Sequence, residues 1–377
     1  MGFNGNNRLG LYVHVPFCVK KCNYCAFYSE PVEQYDVSRL VSAVIRHIDS
    51  YELNKPTTLY IGGGSPSCLP FNDLMRLVEK VAGLNADAEF SVEVNPAQVN
   101  MEMLKGLRER GVTRLSVGAQ SFSSYELELL GRIHGPDDIT RAVDMARESG
   151  FKNISVDLIF AIPGSTLHTW VNSLNASVLL DVEHISAYSL SYEKGTPLMR
   201  MKKRGDLDVI DEETDRVMYE ETIDLLGRSG YDHYEISNFA KSGFECEHNL
   251  GYWRNYEYVG VGPAAGSFYN ERRYTNVSDI NKYTEMIEAG GCVREEEEMI
   301  TREAFACETM VLGLRLRNGV NLDEFEDRTG FDAHDIFGDA IERYKGWGFL
   351  EIVDGRLCLT KTGLPVADRV FCDFADF

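Results

Sequence analysis

Three cysteines near the start of the chain have the spacing of a metal site. Cys18, Cys22 and Cys25 form a C-x3-C-x2-C motif directly after an apolar run. An odd number of closely spaced thiols is a poor framework for disulfides. Three thiolates can instead hold three irons of a [4Fe–4S] cluster and leave the fourth iron open. They can also bind zinc with a fourth ligand from elsewhere, such as His14, although a core role is favoured for that residue.

A second group of residues lies where predicted strands end. The segment Gly62-Gly63-Gly64-Ser65-Pro66 can bring its backbone close to a ligand, since glycine has no side chain. Four polar residues at later strand ends could bind ribose hydroxyls, an amine or a carboxylate: Glu93, Gln120, Arg132 and Asp157. Each alone could equally be a satisfied polar residue inside the fold. Together they indicate a site for a polar cofactor.

One histidine in the second half of the chain could also bind a cofactor. His248 opens the sequence HNLGYW, whose tyrosine and tryptophan have flat apolar surfaces. Such a group could offer an axial nitrogen and apolar walls to a planar macrocycle. The alternative, which composition alone favours, is a surface or packing histidine with no ligand.

The elements that must position these residues alternate between strand and helix. Six apolar or β-branched runs are each followed by an amphipathic stretch, and they cover 11–15, 58–61, 89–94, 114–117, 154–160 and 184–190. This order predicts an α/β fold of parallel strands joined by right-handed crossovers. Because the polar and glycine-rich segments follow strands, they share the carboxyl end of a partial (β/α)6 barrel. A Rossmann-type sheet is disfavoured because no G-x-G-x-x-G follows the first strand.

The pattern changes after residue 267. Helical spacing of apolar residues over 280–289, 302–316 and 333–347 is followed by two short strands around Asp354-Gly355. This dipeptide is typical of a type I′ hairpin turn, and helices followed by such a hairpin resemble a winged helix. We therefore expect a barrel domain over 1–270 and a smaller α+β winged-helix-like domain over 271–377, which would serve as a lid or interaction domain.

Composition excludes several functional classes. The net charge of −21 leaves no basic surplus with which to bind nucleic acid. No apolar run approaches the ~20 residues needed to cross a bilayer, so we expect no transmembrane segment. Nine cysteines without an apolar leader indicate a reducing compartment, which predicts a cytoplasmic protein.

Taken together, the motifs resemble a known family. YVHVPFCVKKCNYC is similar to the cluster-binding signature of the radical S-adenosylmethionine (SAM) superfamily. The later motifs run from IGGGSPS and SVEVNP through LGRIHG and VDLIFAIPG to HNLGYW. Their order resembles the branch that contains oxygen-independent coproporphyrinogen III oxidase and the HemW-like haem chaperones. This resemblance covers nearly the whole chain.

The resemblance implies a set of cofactor contacts. Cys18, Cys22 and Cys25 would ligate a [4Fe–4S] cluster, and SAM would chelate its open iron. Positions that match the SAM site of the family are Tyr12, Tyr24, Gly63, Gly64, Ser65, Glu93, Gln120, Arg132 and Asp157. The implied chemistry is reductive cleavage of SAM to methionine and a 5′-deoxyadenosyl radical.

Two details favour the haem-chaperone branch over the oxidase. Phe27 occupies the position where the oxidase has a fourth cysteine, and the chain carries the H-N-x-x-Y-W motif of the chaperones. The resemblance therefore implies haem binding, with His248 as the candidate residue, an electron donor, and haem transfer to apo-haemoproteins, for instance of a respiratory chain. Gly266 is a departure, because the chaperones usually have a histidine there. The alternative function is oxidative decarboxylation of coproporphyrinogen III.

Overall fold

The computed structural model describes residues 8–53 and 55–375. Its strands are β1 (Leu9–Val15), β2 (Phe17–Cys18), β3 (Glu30–Pro31), β4 (Thr58–Gly63), β5 (Glu89–Val94), β6 (Arg114–Gln120), β7 (Ile154–Phe160), β8 (His184–Ser189), β9 (Asp232–Glu235), β10 (Asn238–Ala240), β11 (Glu257–Val261), β12 (Gly266–Tyr269), β13 (Arg272–Asn276), β14 (Arg294–Met299), β15 (Val320–Asn321), β16 (Leu350–Val353) and β17 (Arg356–Leu359). Its α-helices are α1 (Val37–Asp49), α2 (Phe71–Ala82), α3 (Met101–Glu109), α4 (Ser124–Leu130), α5 (Pro136–Glu148), α6 (Leu167–Leu179), α7 (Pro197–Arg204), α8 (Glu212–Arg228), α9 (Glu247–Trp253), α10 (Ile280–Glu288), α11 (Arg302–Gly313), α12 (Leu322–Thr329), α13 (Ala333–Gly346) and α14 (Ala367–Cys372).

Several helices of the sheet region begin at side chains that cap them. Asp36, Asn100 and Asp211 each accept a hydrogen bond from a backbone N–H three residues later, at the start of α1, α3 and α8. Such caps satisfy amides that the first helical turn leaves without partners, and each contributes about 1 kcal/mol. The helix α4 ends at Gly131, whose left-handed φ of +74° turns the chain back before Arg132.

One mixed sheet of twelve strands forms the body of the molecule. Its order is β14-β13-β12-β11-β1-β4-β5-β6-β7-β8-β10-β9. The run from β11 to β8 is parallel throughout, and the strands outside it pair antiparallel. The predicted α/β fold with a partial barrel is confirmed, and all six predicted strands are adjacent. The prediction missed β11, which pairs with the free side of β1 from far along the chain.

The C-terminal part consists of helices and a small sheet. Strands β15, β17 and β16 form that sheet, and Asp354 and Gly355 connect β16 to β17 with φ of +50° and +73°. Positive φ at both turn residues is the type I′ geometry that the sequence predicts. Arg328 of α12 donates hydrogen bonds to the carbonyls of Arg254 and Asn255, at 2.8 and 3.0 Å, which fastens this part to the end of α9.

The large sheet continues past residue 270, where we expected a domain boundary. Strands β13 and β14 lie beyond that point and extend the sheet to Met299. Their antiparallel pairing continues the series that starts at β11, so the chain between 271 and 299 packs with the barrel. A division near residue 300 is therefore our revised proposal.

Candidate functional site

The loop that carries the three cysteines is held at the carboxyl ends of the parallel strands. Cys18 ends β2, which pairs with β3 through Phe17 and Glu30. Asn23 fastens the middle of the loop to the end of α4, because its backbone N–H and its side-chain amide donate to the carbonyls of Leu130 and Leu129, at 2.9 and 2.8 Å. These contacts hold the loop over the opening of the barrel.

The three thiols have the chemistry that a cluster requires. Cys18, Cys22 and Cys25 are free, half-buried, and line one cavity of about 680 Å³. Burial raises the pKa of the Cys18 and Cys25 thiols, so metal binding there must release protons. Within residues 8–53 and 55–375, no three histidine, cysteine or acidic side chains converge closely enough to hold a single metal ion.

The glycine-rich segment after β4 supports the cluster loop directly. The N–H of Gly64 donates to the carbonyl of Val15, and the N–H of Ser65 donates to that of Phe17, both at 2.8 Å. A Cβ on Gly64 would lie 2.3 Å from the Phe17 carbonyl oxygen, a contact that no side chain can make. Gly63 has φ of +112°. Glycine is needed here so that the two segments can approach each other.

The Ser65 hydroxyl lies at the edge of the same cavity but already has partners. It is hydrogen bonded to the hydroxyl of Ser67 and to Oε1 of Gln98, each at 2.9 Å. Ser67 in turn accepts from the backbone N–H of Asn95 at 3.0 Å. This small network ties the segment after β4 to the segment after β5.

Glu93 is the buried acid in the wall of the cavity. Its Oε1 accepts from the Tyr60 hydroxyl at 2.8 Å, and its Oε2 accepts from the N–H of Gly63 at 3.1 Å. Burial is the main reason why the pKa of this carboxyl is raised to about 7. A group with that pKa can exchange a proton near neutral pH or be held ionised by a cationic ligand.

Asp157 lies among serine hydroxyls in the barrel. Its carboxylate accepts hydrogen bonds from Ser116, Ser186 and Ser155, at 2.8, 2.7 and 3.2 Å. Three donors fix the orientation of the carboxylate at the cavity surface.

Arg132 connects the barrel wall to the cluster loop. Its Nη2 donates to the carbonyl of Gly118 at 2.7 Å, and its Nη1 donates to Sγ of Cys22 at 3.3 Å. Its Nε is buried without a hydrogen-bond partner, which is an orphaned donor that a carboxylate ligand would satisfy. Nearby, Gln120 has φ of +70°, where the pairing of β6 with β7 shifts register, and its side chain reaches the cavity.

The structure brings together nearly every residue that the sequence singles out. One cavity is lined by Cys18, Cys22, Cys25, Tyr24, Gly63, Gly64, Ser65, Glu93, Gln120, Arg132 and Asp157. Sequence reasoning missed other residues of the same lining, among them Tyr60, Gln98, Arg114, Ser116 and Asn249. The two-residue period of β6 could have found two of them, because Arg114, Ser116, Gly118 and Gln120 share one face.

Tyr12 is not among the residues that line this cavity. It lies on the inner face of β1, and its hydroxyl donates to Nδ1 of His14, 3.0 Å away. His14 completes its own bonding by donating from Nε2 to the carbonyl of Tyr28 at 2.9 Å. The predicted core role of His14 agrees with this geometry, and Tyr12 acts through His14 to support the chain that follows the cluster loop.

His248 lies at the opposite end of the barrel. Its Nδ1 is hydrogen bonded to the hydroxyl of Thr58, the first residue of β4, at 2.8 Å, and its Nε2 to the hydroxyl of Tyr252 at 2.9 Å. Its ring stacks on Tyr60 with centroids 5.0 Å apart. Burial, with Arg114 nearby, lowers its pKa to about 3. The histidine is therefore neutral, and both of its nitrogens are engaged within the protein.

His248 lines a second, smaller cavity of about 330 Å³, separate from the one below the cluster loop. Its neighbour Asn249 points the other way and lines the larger cavity. The helix α9 thus closes the lower end of the barrel. Of the HNLGYW motif, it is the asparagine that faces the predicted cofactors.

Comparison with known proteins places the chain in a family. Residues 12–176 match the Radical SAM superfamily, and residues 300–366 match the HemN C-terminal domain. A protein from Bacillus subtilis named "Heme chaperone HemW" is 36% identical over 373 residues, which cover 96% of this chain and 98% of that protein. A protein of the same name from Lactococcus lactis is 34% identical and covers 96% of each chain. The chain belongs to the HemW family of radical SAM proteins.

A solved structure has the fold of this HemW-family chain. Coproporphyrinogen III oxidase from Escherichia coli superposes with a TM-score of 0.83 and covers 98% of this chain and 90% of its own. The sequence identity is 22%, so this likeness concerns the fold alone. Membership of the radical SAM superfamily implies a [4Fe–4S] cluster and SAM, and the free thiols and the orphaned Arg132 donor fit both. Across the described residues of this HemW-family chain, no helix is long and apolar enough to cross a membrane.

Proposed function

We propose that this protein binds haem and transfers it to apo-haemoproteins, while a [4Fe–4S] cluster and SAM occupy the barrel. The observation that carries this proposal is the similarity to haem chaperones over 96% of the chain. A local motif could be shared with many radical SAM proteins, whereas similarity of this extent includes the barrel, α9 and the C-terminal part. Phe27 in place of a fourth cysteine supports the same choice.

The residues around the cavity suit the two cofactors. Cys18, Cys22 and Cys25 would hold three irons, and the fourth iron would be left for SAM. Arg132 offers its orphaned Nε–H to a carboxylate, and Glu93 and Asp157 offer acceptors to an amine or to ribose hydroxyls. Bound together, the cluster and SAM supply an electron transfer that can cleave the sulfonium. The protein orients these groups and excludes water from the half-buried thiols.

The resemblance assigns haem binding to His248, and the geometry adds a condition to that assignment. An axial bond to iron needs a free ring nitrogen. His248 would have to give up its hydrogen bond to Thr58 or to Tyr252, inside a site where it is 3% exposed. The role of His248 in haem binding thus requires α9 to move away from the barrel.

Recipients and location follow from the same proposal. We expect recipient apo-haemoproteins, for instance of a respiratory chain, and a separate protein that donates electrons to the cluster. A reducing compartment, the cytoplasm, suits a chain whose nine cysteines are all free.

The experiment compares the two candidate functions on one preparation. The protein is reconstituted anaerobically with iron and sulfide, then titrated with haem and assayed separately with coproporphyrinogen III, SAM and a reductant. We expect stoichiometric haem binding, transfer of that haem to an apo-haemoprotein, and no protoporphyrinogen. Conversion of coproporphyrinogen would instead establish the oxidase. A Cys18→Ala/Cys22→Ala/Cys25→Ala variant is the control, and it should remain colourless after reconstitution.

A further inference from the structure

The mouth of the cluster cavity carries exposed apolar side chains. Phe27 is 70% exposed, Val19 is 50% exposed and Ile133 is 41% exposed, and all three line the cavity that the cysteines share. Apolar groups this close together at an opening are typical of a ligand-binding or docking surface. Val19 and Phe27 lie on the cluster loop, and Ile133 follows Arg132.

The same mouth is positively charged in an otherwise acidic protein. Lys20 and Lys21 lie between the first two cluster cysteines, are exposed, and line the cavity. In the part of the chain that the structure describes, neither lysine forms a salt bridge, while the whole chain carries a net charge of −21. Glu193, on the loop after β8, is the exposed acid at this mouth. A pair of unpaired cations beside apolar side chains favours a ligand that is apolar and carries carboxylates.

The size of the cavity limits what can lie inside it. About 680 Å³ is the volume of a site for one cofactor-sized molecule. With a cluster and SAM inside, the opening is the part of this cavity left for a further large planar ligand. The other end of the barrel is closed by α9, where both nitrogens of His248 are engaged.

We propose that haem docks across this mouth, with its ring on Val19, Phe27 and Ile133 and its propionates paired with Lys20 and Lys21. This inference rests on the proposed function and adds where haem binds and what recognises it. Two exposed ion pairs that are replaced by repulsion change an affinity by about tenfold. Phe27 also gains a role here, because an aromatic ring on the porphyrin face adds apolar contact that a cysteine would not.

The test is a haem titration, followed by absorbance, on the cluster-loaded full-length protein. The variant Lys20→Glu/Lys21→Glu should bind haem about tenfold more weakly than the wild type. Its matched control is Lys105→Glu/Lys152→Glu, which makes the same charge change at two exposed lysines away from the cavity and should bind as the wild type does. The absorbance of the cluster before titration shows that each variant is loaded.

A second ligand separates charge recognition from general repulsion. The dimethyl ester of haem has no free propionates, so the wild type should bind it more weakly than haem, whereas the Lys20→Glu/Lys21→Glu variant, whose glutamates repel free propionates, should bind the ester at least as tightly as haem. If both double variants lose affinity equally, or neither loses any, haem does not dock at this mouth. If the wild type itself fails to bind haem, the proposed function is refuted. That result differs from one in which the wild type binds haem but the lysines at the mouth have no effect.

Discussion

The replacement His248→Ala tests whether this histidine holds the barrel together or binds haem. Removing the ring leaves the hydroxyls of Thr58 and Tyr252 without their partner and removes the stack on Tyr60. A buried polar group without a partner costs about 1 kcal/mol or more, and an aromatic pair contributes about 1 kcal/mol. We therefore expect the free energy of unfolding to fall by about 3 kcal/mol.

The assay is urea unfolding at pH 8 followed by circular dichroism, with a haem titration on the same preparations. Tyr252→Phe is the matched control, because it removes one hydrogen bond, and it should cost about 1 kcal/mol. With haem bound at the far mouth, affinity should stay within about threefold of the wild type in both variants. An unchanged free energy of unfolding together with lost haem binding would refute the reasoning and make His248 a ligand.

Three further predictions concern the cavity and the core. Glu93 has a pKa of about 7 in the folded protein, against 4.5 for an ordinary glutamate, so the folded state binds its proton more tightly than the unfolded state does. The free energy of unfolding should therefore decline as pH rises from 4.5 to 7 and then stay level. In urea unfolding of the cofactor-free protein, Glu93→Gln should remove up to about 3 kcal/mol of that decline. Gly64→Ala should displace the Phe17 carbonyl and lower the iron content of reconstituted protein severalfold, whereas Gly266→Ala, which meets no atom within 4 Å, should load normally. Burial lowers the pKa of His47 to about 4 in the folded protein, so between pH 6.5 and 4 this histidine is protonated in the unfolded state but not in the folded state. The free energy of unfolding should therefore fall as pH drops from 6.5 to 4, and His47→Gln should reduce that fall by up to about 3 kcal/mol.

Each of these has an opposing result. A Glu93→Gln profile parallel to that of the wild type between pH 4.5 and 7 would mean that this carboxyl is not the group that titrates. Equal iron contents in the two glycine variants would show that the loop tolerates a shift at Phe17. For His47, an acid transition at the same pH in variant and wild type would contradict the expected proton uptake.

Local sequence signals were sufficient for the parallel strands and the cluster loop. The predicted strands at 89–94 and 154–160 have the bounds of β5 and β7. Both are short apolar runs that end at Asn95-Pro96 or before Ile162-Pro163, so period and turn residues agree. The placement of Glu93 and Asp157 at one cavity then follows, because parallel strands end on one side of the sheet.

The sequence could not show where along the barrel axis His248 and Tyr12 lie. The residues of HNLGYW do not indicate which end of the barrel this segment closes. That is decided by contacts with distant segments, such as the Glu89 carboxylate that accepts from the N–H of His248 at 3.2 Å. Tyr12 is a similar case, since its partner His14 also lies on the inner face of β1. A family motif identified the residues and left their environment open.

The strands between Glu257 and Met299 were the other omission. Runs such as 257–261 and 272–276 are short, contain glycine or charged residues, and lack the amphipathic helix that marks a strand-helix unit. They form strands because neighbouring strands complete their hydrogen bonds, which is a tertiary effect. The expected boundary at residue 270 came from this weak signal.

The position of β1 between β4 and β11 has a consequence for how the protein is made. During synthesis β1 and β4 emerge early, whereas β11 leaves the ribosome only after residues 257–261 are translated. Until then the strand that leads into the cysteine loop has one open edge, and such edges are prone to non-native pairing. Maturation of the iron centre is therefore expected to follow translation, once the late strand has closed that edge.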